Sequence, residues 1–490
     1  LARKLKQVIT SSGTDRRATG YYATPLLVAE YFYQRCVAIN PEGHMVFDPC
    51  VGQEELLTPF IAANTKQAER FKLQSTDVLR HLSVYQSHFL QGDFLLTPKA
   101  QQTKASECDF IVANPPYNCH EVDYIKQHKA DLKHKFKDVG VHNMYSMFLA
   151  AMIDKAADGC VIATICDSSF LTAKVHSKLR KKILSSCIIH DLILCPTDLF
   201  LDQGANVRTC ILVLQKGRNL QQPRVRLLNR PLNQADFFAA LAEECFIYKA
   251  LTDIVLNSDV DNMELLVGVP CEIKALFDGP RLSAKFACIS GVSTGNDHAF
   301  IRKQPEAGFS VPFYKNPSSS KFFCAPNGFL IDDFLHQSQC DANFNVRNQQ
   351  YLMQSGITCS SMGIEFSACL LPQGSLFGVN PNIICDEQSS WWLVAYLNSD
   401  LVKYCVRGVL IRTNMITSGY VARLPLPDFT VLAKQQLAQL AKQAYQGARQ
   451  QQDLAAPLAS INQLVNKELK FSEQTIADIA LFCRQIVKRT

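Results

Sequence analysis

The stretch DFIVANPPYN at 109–118 joins a β-rich apolar run to a carboxamide, two prolines and an aromatic ring. Consecutive prolines cannot donate to a sheet ladder, so they end the strand and stiffen the turn that follows. Asn114 and the carbonyl of Pro115 are then expected to project from the carboxyl edge of the strand, with Pro116 and Tyr117 directly behind them. Two fixed acceptors beside a ring suit a planar amine or amide, because they can take both of its hydrogens while the ring covers its face. Held in that way, the nitrogen favours a pyramidal geometry and turns its lone pair toward an electrophile. Direct transfer to such a nitrogen needs positioning and electrostatics rather than a covalent intermediate. A rigid strand-end turn with a packed tyrosine is the plainer reading of the tetrapeptide taken alone.

Upstream residues extend the constellation. VFDPCVGQ sets Asp48, Pro49 and a turn containing Gly52 at the end of one strand, LQSTD sets Asp77 at the end of the next, and QGDF sets Asp93 and Phe94 at the end of a third. In an open α/β sheet these strand ends line one crevice. There an acid on the second strand suits ribose hydroxyls, and an acid with a ring on the third suits an adenine amine and its flat face.

The elements that must position these groups are legible in the first 230 residues. Short β-rich runs (MVFDPC, FKLQSTD, SHFLQGDF, CDFIVANP, CVIATIC, IIHDLILC, TCILVLQK) alternate with helical patterns, beginning with TPLLVAEYFYQRC. That alternation predicts a Rossmann-like α/β domain with a mainly parallel sheet, and the last two runs, with no clear helix between them, predict an antiparallel hairpin at its edge. Net charge divides the chain further: +8 over 1–230, −7 over 231–280, +1 over 281–430 and +4 over 431–490. The expected organisation is therefore a catalytic domain at 1–230, an acidic connector at 231–280, an irregular α+β domain rich in Gly, Pro, Asn and Ser turns at 281–430, and a helical tail at 431–490, broken near Ala456–Pro457.

GYYATPLLVAEYF, VFDPCVG, GDFLL, FIVANPPY, NMYSMFL at 143–149 and ILCPTDLFLDQGANVRTCILVLQKG occur in one order, followed by LFGVNPNI, YLNSDLVKYCVRG and GYVARLPLP. In this order the chain resembles the S-adenosylmethionine-dependent amino-methyltransferases of DNA, closest to adenine-N6 enzymes of the restriction-modification type, with the methionine-binding segment first and the target recognition domain last. The resemblance implies that Thr24 holds the methionine carboxylate of S-adenosyl-L-methionine and that Asp48, Pro49, Gly52, Asp77, Asp93 and Phe94 form the rest of its site, with Phe148 over the second face of its adenine. It implies that Asn114, Pro115, Pro116 and Tyr117 are catalytic, and that Tyr117 and Phe200 stack on a target base flipped out of duplex DNA. The family's second cofactor-turn glycine is replaced by Glu54, a carboxylate expected to crowd or repel the methionine end.

Partners follow from the same resemblance: double-stranded DNA, and either a separate restriction endonuclease or a nuclease segment outside this chain, since no Asp…Glu-x-Lys nuclease pattern is present. Candidate DNA contacts are Lys126, Lys129 and Lys133 in the lysine run at 126–137, and Arg302, Lys303, Arg347, Arg407 and Arg412 in the third segment. The chain has 490 residues, 47% of them hydrophobic and 19% charged, with no apolar run long enough for a membrane span and no signal peptide at its start. Its 19 cysteines form no CxxC pair, so no metal site is expected, and Cys119, His120, His128, His134 and His142 match no closed zinc pattern. A bacterial or archaeal cytoplasm is the expected compartment. Three other readings stay open: a protein glutamine methyltransferase, a cytosine-N4 methyltransferase, and a DNA-binding modification subunit with catalysis weakened at Glu54.

Overall fold

The computed structural model describes residues 20–485, apart from 68, 98–107, 118–122, 218–220, 364 and 412–414. The chain forms two compact units, one comprising residues up to Asn257 together with Asn262–Gly268, the other Ser258–Asp261 and the chain from Val269 onward.

The first unit is built on a nine-stranded sheet, in the order β3-β2-β1-β4-β5-β7-β6-β8-β9. β1 (Met45–Asp48), β2 (Lys72–Asp77), β3 (His88–Gln91), β4 (Phe110–Ala113) and β5 (Val161–Asp167) are the first five expected runs, and β6 (Cys187–Leu194) and β7 (Thr209–Lys216) are the last two. Every residue of β4 is buried, which explains why its sequence reads FIVA without alternation. β1 to β5 pair in parallel, whereas β7 runs antiparallel to both β5 and β6. The expected edge hairpin is thus an inner pair. β8 (Val225–Leu228) and β9 (Ile247–Lys249) continue the sheet past residue 230 into the stretch expected to be a connector. The acids of that stretch sit mainly on exposed turns and on a short helix, and the division between the two compact units falls within it, between Asn257 and Val269.

Helices cover both faces. α1 (Leu26–Ile39) buries Val28, Ala29, Tyr31, Phe32 and Cys36 on one side of the sheet. On the other side lies α2 (Met144–Lys155), which buries ten of its residues in succession and so packs all round. Met144 and Phe148, one helical turn apart on a single face, point toward the carboxyl edge of the sheet. A bulge in β6 between Ile189 and Asp191 turns Asp191 into the interior, where Arg35 holds both carboxylate oxygens at 2.5 and 3.0 Å and the Tyr31 hydroxyl donates at 3.0 Å.

The second unit carries two four-stranded sheets, one formed by 287–289, 382–384, 356–359 and 368–371, the other by 301–302, 328–330, 311–314 and 376–377. Its final helices are Val431–Arg449, Ala455–Glu468 and Glu473–Arg484. The first is anchored to helix Glu387–Leu397 by Tyr445, whose ring meets Trp391 edge-on at 5.5 Å. The break falls at Gln450–Leu454 rather than at Pro457, because Gln451 adopts φ of 57° and Pro457 sits in the first turn of the next helix, where its missing N–H leaves no bond unmade. Among the described residues no helix is long and apolar enough to cross a membrane.

Candidate active site

The carboxyl ends of β1 to β4 meet at a cavity of about 450 Å³. Among the residues singled out by sequence, Pro49, Asp77, Asp93, Phe94, Asn114, Pro116 and Phe148 line it. Val78, Leu79, His81 and Tyr124 line it too and carried no motif signal, and so do Tyr21 and Met144, which fall within quoted motifs but were not singled out. Thr24, Asp48, Gly52, Pro115, Tyr117 and Phe200 are not part of its wall, and each is placed for another reason.

Asp48 is 1% exposed, and its Oδ1 accepts from the Cys50 amide at 2.9 Å, so it shapes the turn after β1 instead of facing the cavity. Burial, followed by the nearby acids Asp77 and Glu55, pushes its carboxyl well above the ordinary range. Gly52 takes φ of 54°, and a Cβ there would lie 2.5 Å from the Tyr21 ring, so the turn requires glycine on two counts. The Gly52 amide donates to Asp77 Oδ2 at 3.1 Å and the Leu79 amide to Oδ1 at 3.0 Å. Each Asp77 oxygen keeps acceptor capacity toward the cavity, which suits a ribose diol. His81 stacks on Tyr21 with centroids 4.8 Å apart and closes this end.

Glu54 does not crowd the turn. It adopts φ of 64°, the conformation a second glycine would have supplied, and its side chain leaves the turn to accept from the Ser87 amide at 2.8 Å and the Gln86 amide at 3.0 Å. Glu54→Ala leaves the buried Ser87 amide and the part-buried Gln86 amide without their carboxylate and keeps the unfavourable φ. The expected destabilisation is about 2–3 kcal/mol, read as a lowered unfolding midpoint. Glu54→Gly relieves the backbone and is expected to lose less, while an unchanged midpoint in both variants would show that the carboxylate holds nothing.

Asp93 is already engaged: Oδ1 accepts from the Leu95 and Leu96 amides at 2.8 and 3.1 Å, and Oδ2 from the Tyr124 hydroxyl at 2.7 Å. Phe94 and Phe148 stack on each other at 5.4 Å and 27°. That is closer than the two van der Waals layers, about 7 Å, that a ring sandwiched between them would need. They form one continuous aromatic wall rather than opposite faces of a slot.

At the other end, Asn114 Nδ2 donates to the Tyr22 carbonyl at 2.8 Å and to Thr24 Oγ1 at 2.9 Å, while its Oδ1 accepts from the Tyr117 hydroxyl at 2.5 Å. The Tyr117 ring lies nearly parallel to Tyr22, at 6.4 Å and 9°, and tilted against Phe200 at 6.2 Å. Burial raises the phenol of Tyr117 well above its ordinary value, so it stays a donor. Phe200 is completely buried among core side chains and presents no open face, contrary to the expected stacking position.

The candidate nucleic-acid contacts divide by exposure. Lys126, Lys129, Lys133, Lys303 and Arg347 are exposed, and Arg302 is half-buried in an ion pair with Glu306 at 2.9 Å. Arg407, expected to contact DNA, is instead 4% exposed and donates to the Gly363 carbonyl, so it braces a loop. Arg412, Cys119 and His120 lie outside the described residues. Among the described residues no cluster of His, Cys, Asp and Glu could hold a metal ion.

A mainly parallel sheet with acids on successive strand ends, a glycine-dependent cradle beside Asp77 and a strand that closes in Asn-Pro-Pro-Tyr define a class I methyltransferase. Residues 9–237 match the family model described as N-6 DNA Methylase, which supports an adenine-N6 DNA methyltransferase assignment for that region, with S-adenosylmethionine as the methyl donor. A comparison with curated proteins gives no match. Solved structures of similar fold include the type IIL restriction-modification enzyme MmeI in complex with DNA, at 12% identity and a TM-score of 0.59 over 98% of this chain and 80% of that one. A nuclease-deletion mutant of the type ISP enzyme LlaGI with a DNA substrate mimic aligns at 10% identity and a TM-score of 0.54, covering 87% of this chain and 55% of that one. The DrdV–DNA complex aligns at 11% and 0.52, covering 88% and 57%. The chain also spans 66% of the type IIG restriction endonuclease BpuSI and 60% of a type I modification subunit from Vibrio vulnificus, less than two thirds of either.

Proposed function

We propose that this chain is a site-specific DNA methyltransferase acting on the N6 amine of an adenine flipped out of duplex DNA, as the modification activity of a restriction-modification or related defence system. The observation that carries the reading is Asn114: its amide nitrogen is fully engaged by Tyr22 and Thr24, so Oδ1 is the atom presented at the cavity edge. S-adenosylmethionine supplies an electrophilic methyl group on a sulfonium. Asp77 and the Gly52 turn hold its ribose end, and the Phe94–Phe148 wall takes one face of its adenine. Asn114 Oδ1 and the Pro115 carbonyl accept the two hydrogens of the target amine and turn its lone pair toward the methyl carbon. Before that, the Tyr117 hydroxyl must leave Oδ1, since both need the same acceptor. Extruding a base costs a few kcal/mol, and stacking on one aromatic face returns about 1–3 kcal/mol. Tyr117 supplies that face and Phe200 supports it from behind.

In this reading residues 281–430 recognise sequence, a nuclease on a separate chain or further segment completes the system, and the lysines at 126–137 hold phosphates. Replacing Lys303 or Arg347 changes which sites are methylated if the side chain reads a base edge, by about 1–3 kcal/mol per good contact. Neutralising Lys126, Lys129 and Lys133 together weakens methylation at all sites alike and makes its salt dependence shallower. Altered site choice from the lysines alone would place recognition in the wrong unit. Offering labelled S-adenosylmethionine with DNA, RNA and protein in parallel tests the function itself. Label in DNA supports it, and label confined to glutamine in protein overturns it.

A further inference from the structure

The family resemblance assigns Thr24 to the cofactor's carboxylate, but Thr24 is 7% exposed and lies outside the cavity wall, and its hydroxyl receives a hydrogen bond from Asn114 Nδ2 at 2.9 Å. The second Nδ2 hydrogen goes to the Tyr22 carbonyl at 2.8 Å. Turning the carboxamide over would set Oδ1 against that carbonyl, acceptor to acceptor, so these two partners dictate which end of Asn114 faces the target. The segment that carries them is itself clamped. Gln203 Oε1 accepts from the Ala23 amide at 2.7 Å, and its Nε2 donates to the Ala23 carbonyl at 2.8 Å, a paired contact across 180 residues of sequence. Gln203 ends the short turn that follows Phe200, and the Phe200 ring touches Tyr22 at 6.1 Å. The same hairpin therefore fixes both the ring behind Tyr117 and the strap behind Asn114.

Resting on the proposed reaction, we infer that Thr24 and Gln203 are positioning residues for Asn114, acting on methyl transfer and not on cofactor affinity. Thr24→Val keeps the shape and removes the acceptor, while Thr24→Ser keeps the acceptor. Single-turnover methylation of duplex DNA by the full chain at saturating S-adenosylmethionine is expected to fall about 10–100-fold in Thr24→Val, the range for losing an outer-shell partner of a reacting group, and to recover in Thr24→Ser. S-adenosylhomocysteine affinity, measured by calorimetry, is expected to stay within a few-fold and also reports that the variant is folded. Gln203→Met, which loosens the strap from its other side, is expected to slow the same step. A Thr24→Val rate that returns to the wild-type value once cofactor saturates assigns the hydroxyl to cofactor binding and overturns the inference. So does a Thr24→Ser protein as slow as Thr24→Val. If Thr24→Val fails to bind S-adenosylhomocysteine at all, the Gln203→Met rate decides: wild-type speed overturns the strap. A wild-type chain that labels no DNA refutes the proposed reaction before any variant is compared.

Discussion

Asn114→Ala is expected to reduce methyl transfer at least about 10³-fold, the upper range for removing one preorganised polar contact from a reacting centre. The variant loses the Oδ1 acceptor and with it the means of orienting the target amine. The Tyr22 carbonyl, the Thr24 hydroxyl and the Tyr117 hydroxyl each lose a partner as well. Asn114 itself lines the cavity, where water can take the place of its carboxamide, so the fold should persist. Cofactor affinity is expected to change only a few-fold, because the proposed arrangement gives the ribose end to Asp77 and the turn at Gly52 and not to Asn114. Full activity in Asn114→Ala would remove the amine-orienting role altogether.

The second large effect concerns Tyr117, where two substitutions are expected to move in opposite directions. Tyr117→Ala removes the stacking face and should lower activity on an ordinary duplex by more than on a duplex with a mismatched target adenine, since a mismatch already reduces the energy of extrusion. The difference corresponds to about 1–3 kcal/mol of lost stacking, or roughly 5–150-fold. Tyr117→Phe keeps the ring and deletes the hydroxyl that occupies Asn114 Oδ1 at 2.5 Å. It is expected to retain activity or gain a few-fold, because the incoming amine no longer displaces an internal donor. Equal losses for Tyr117→Ala on both duplexes would exclude base capture, and inactivity of Tyr117→Phe would show that the hydroxyl takes part in the reaction. Phe200→Ala is a poorer probe: its ring is fully buried, and truncation there costs about 3–5 kcal/mol of stability.

β1 and β4 were legible because each is a short, largely buried run followed closely by a proline, whereas β2 and β3, more polar or exposed, were marked by the acids at or just after their ends. β9 was not, since Ile247 and Tyr248 are exposed and the strand is only three residues long. Within the site, residues paired by local geometry could be read: Asp77 beside its own strand end, Gly52 in its turn. Residues whose meaning depends on distant partners could not. Glu54 looks obstructive until the amides of Gln86 and Ser87 come within reach, and the hydrogen bond of Asn114 to the Thr24 hydroxyl, 90 residues away, leaves no trace in the sequence. Phe200 lies in a quoted motif, yet its ring is buried beside Tyr22 and Tyr117, a packing that its sequence neighbours do not announce. Tyr21, His81 and Tyr124 reach the cavity from loops and a short helix with no periodic pattern to announce them.

The most direct test of the account is the identity of the methylated nucleoside. Duplex DNA incubated with the chain and isotopically labelled S-adenosylmethionine is digested and its nucleosides separated by mass. The account requires label in N6-methyladenine, confined to a subset of adenines set by neighbouring sequence, and none with Asn114→Ala. Label in N4-methylcytosine, or adenine methylation that ignores sequence context, would contradict it.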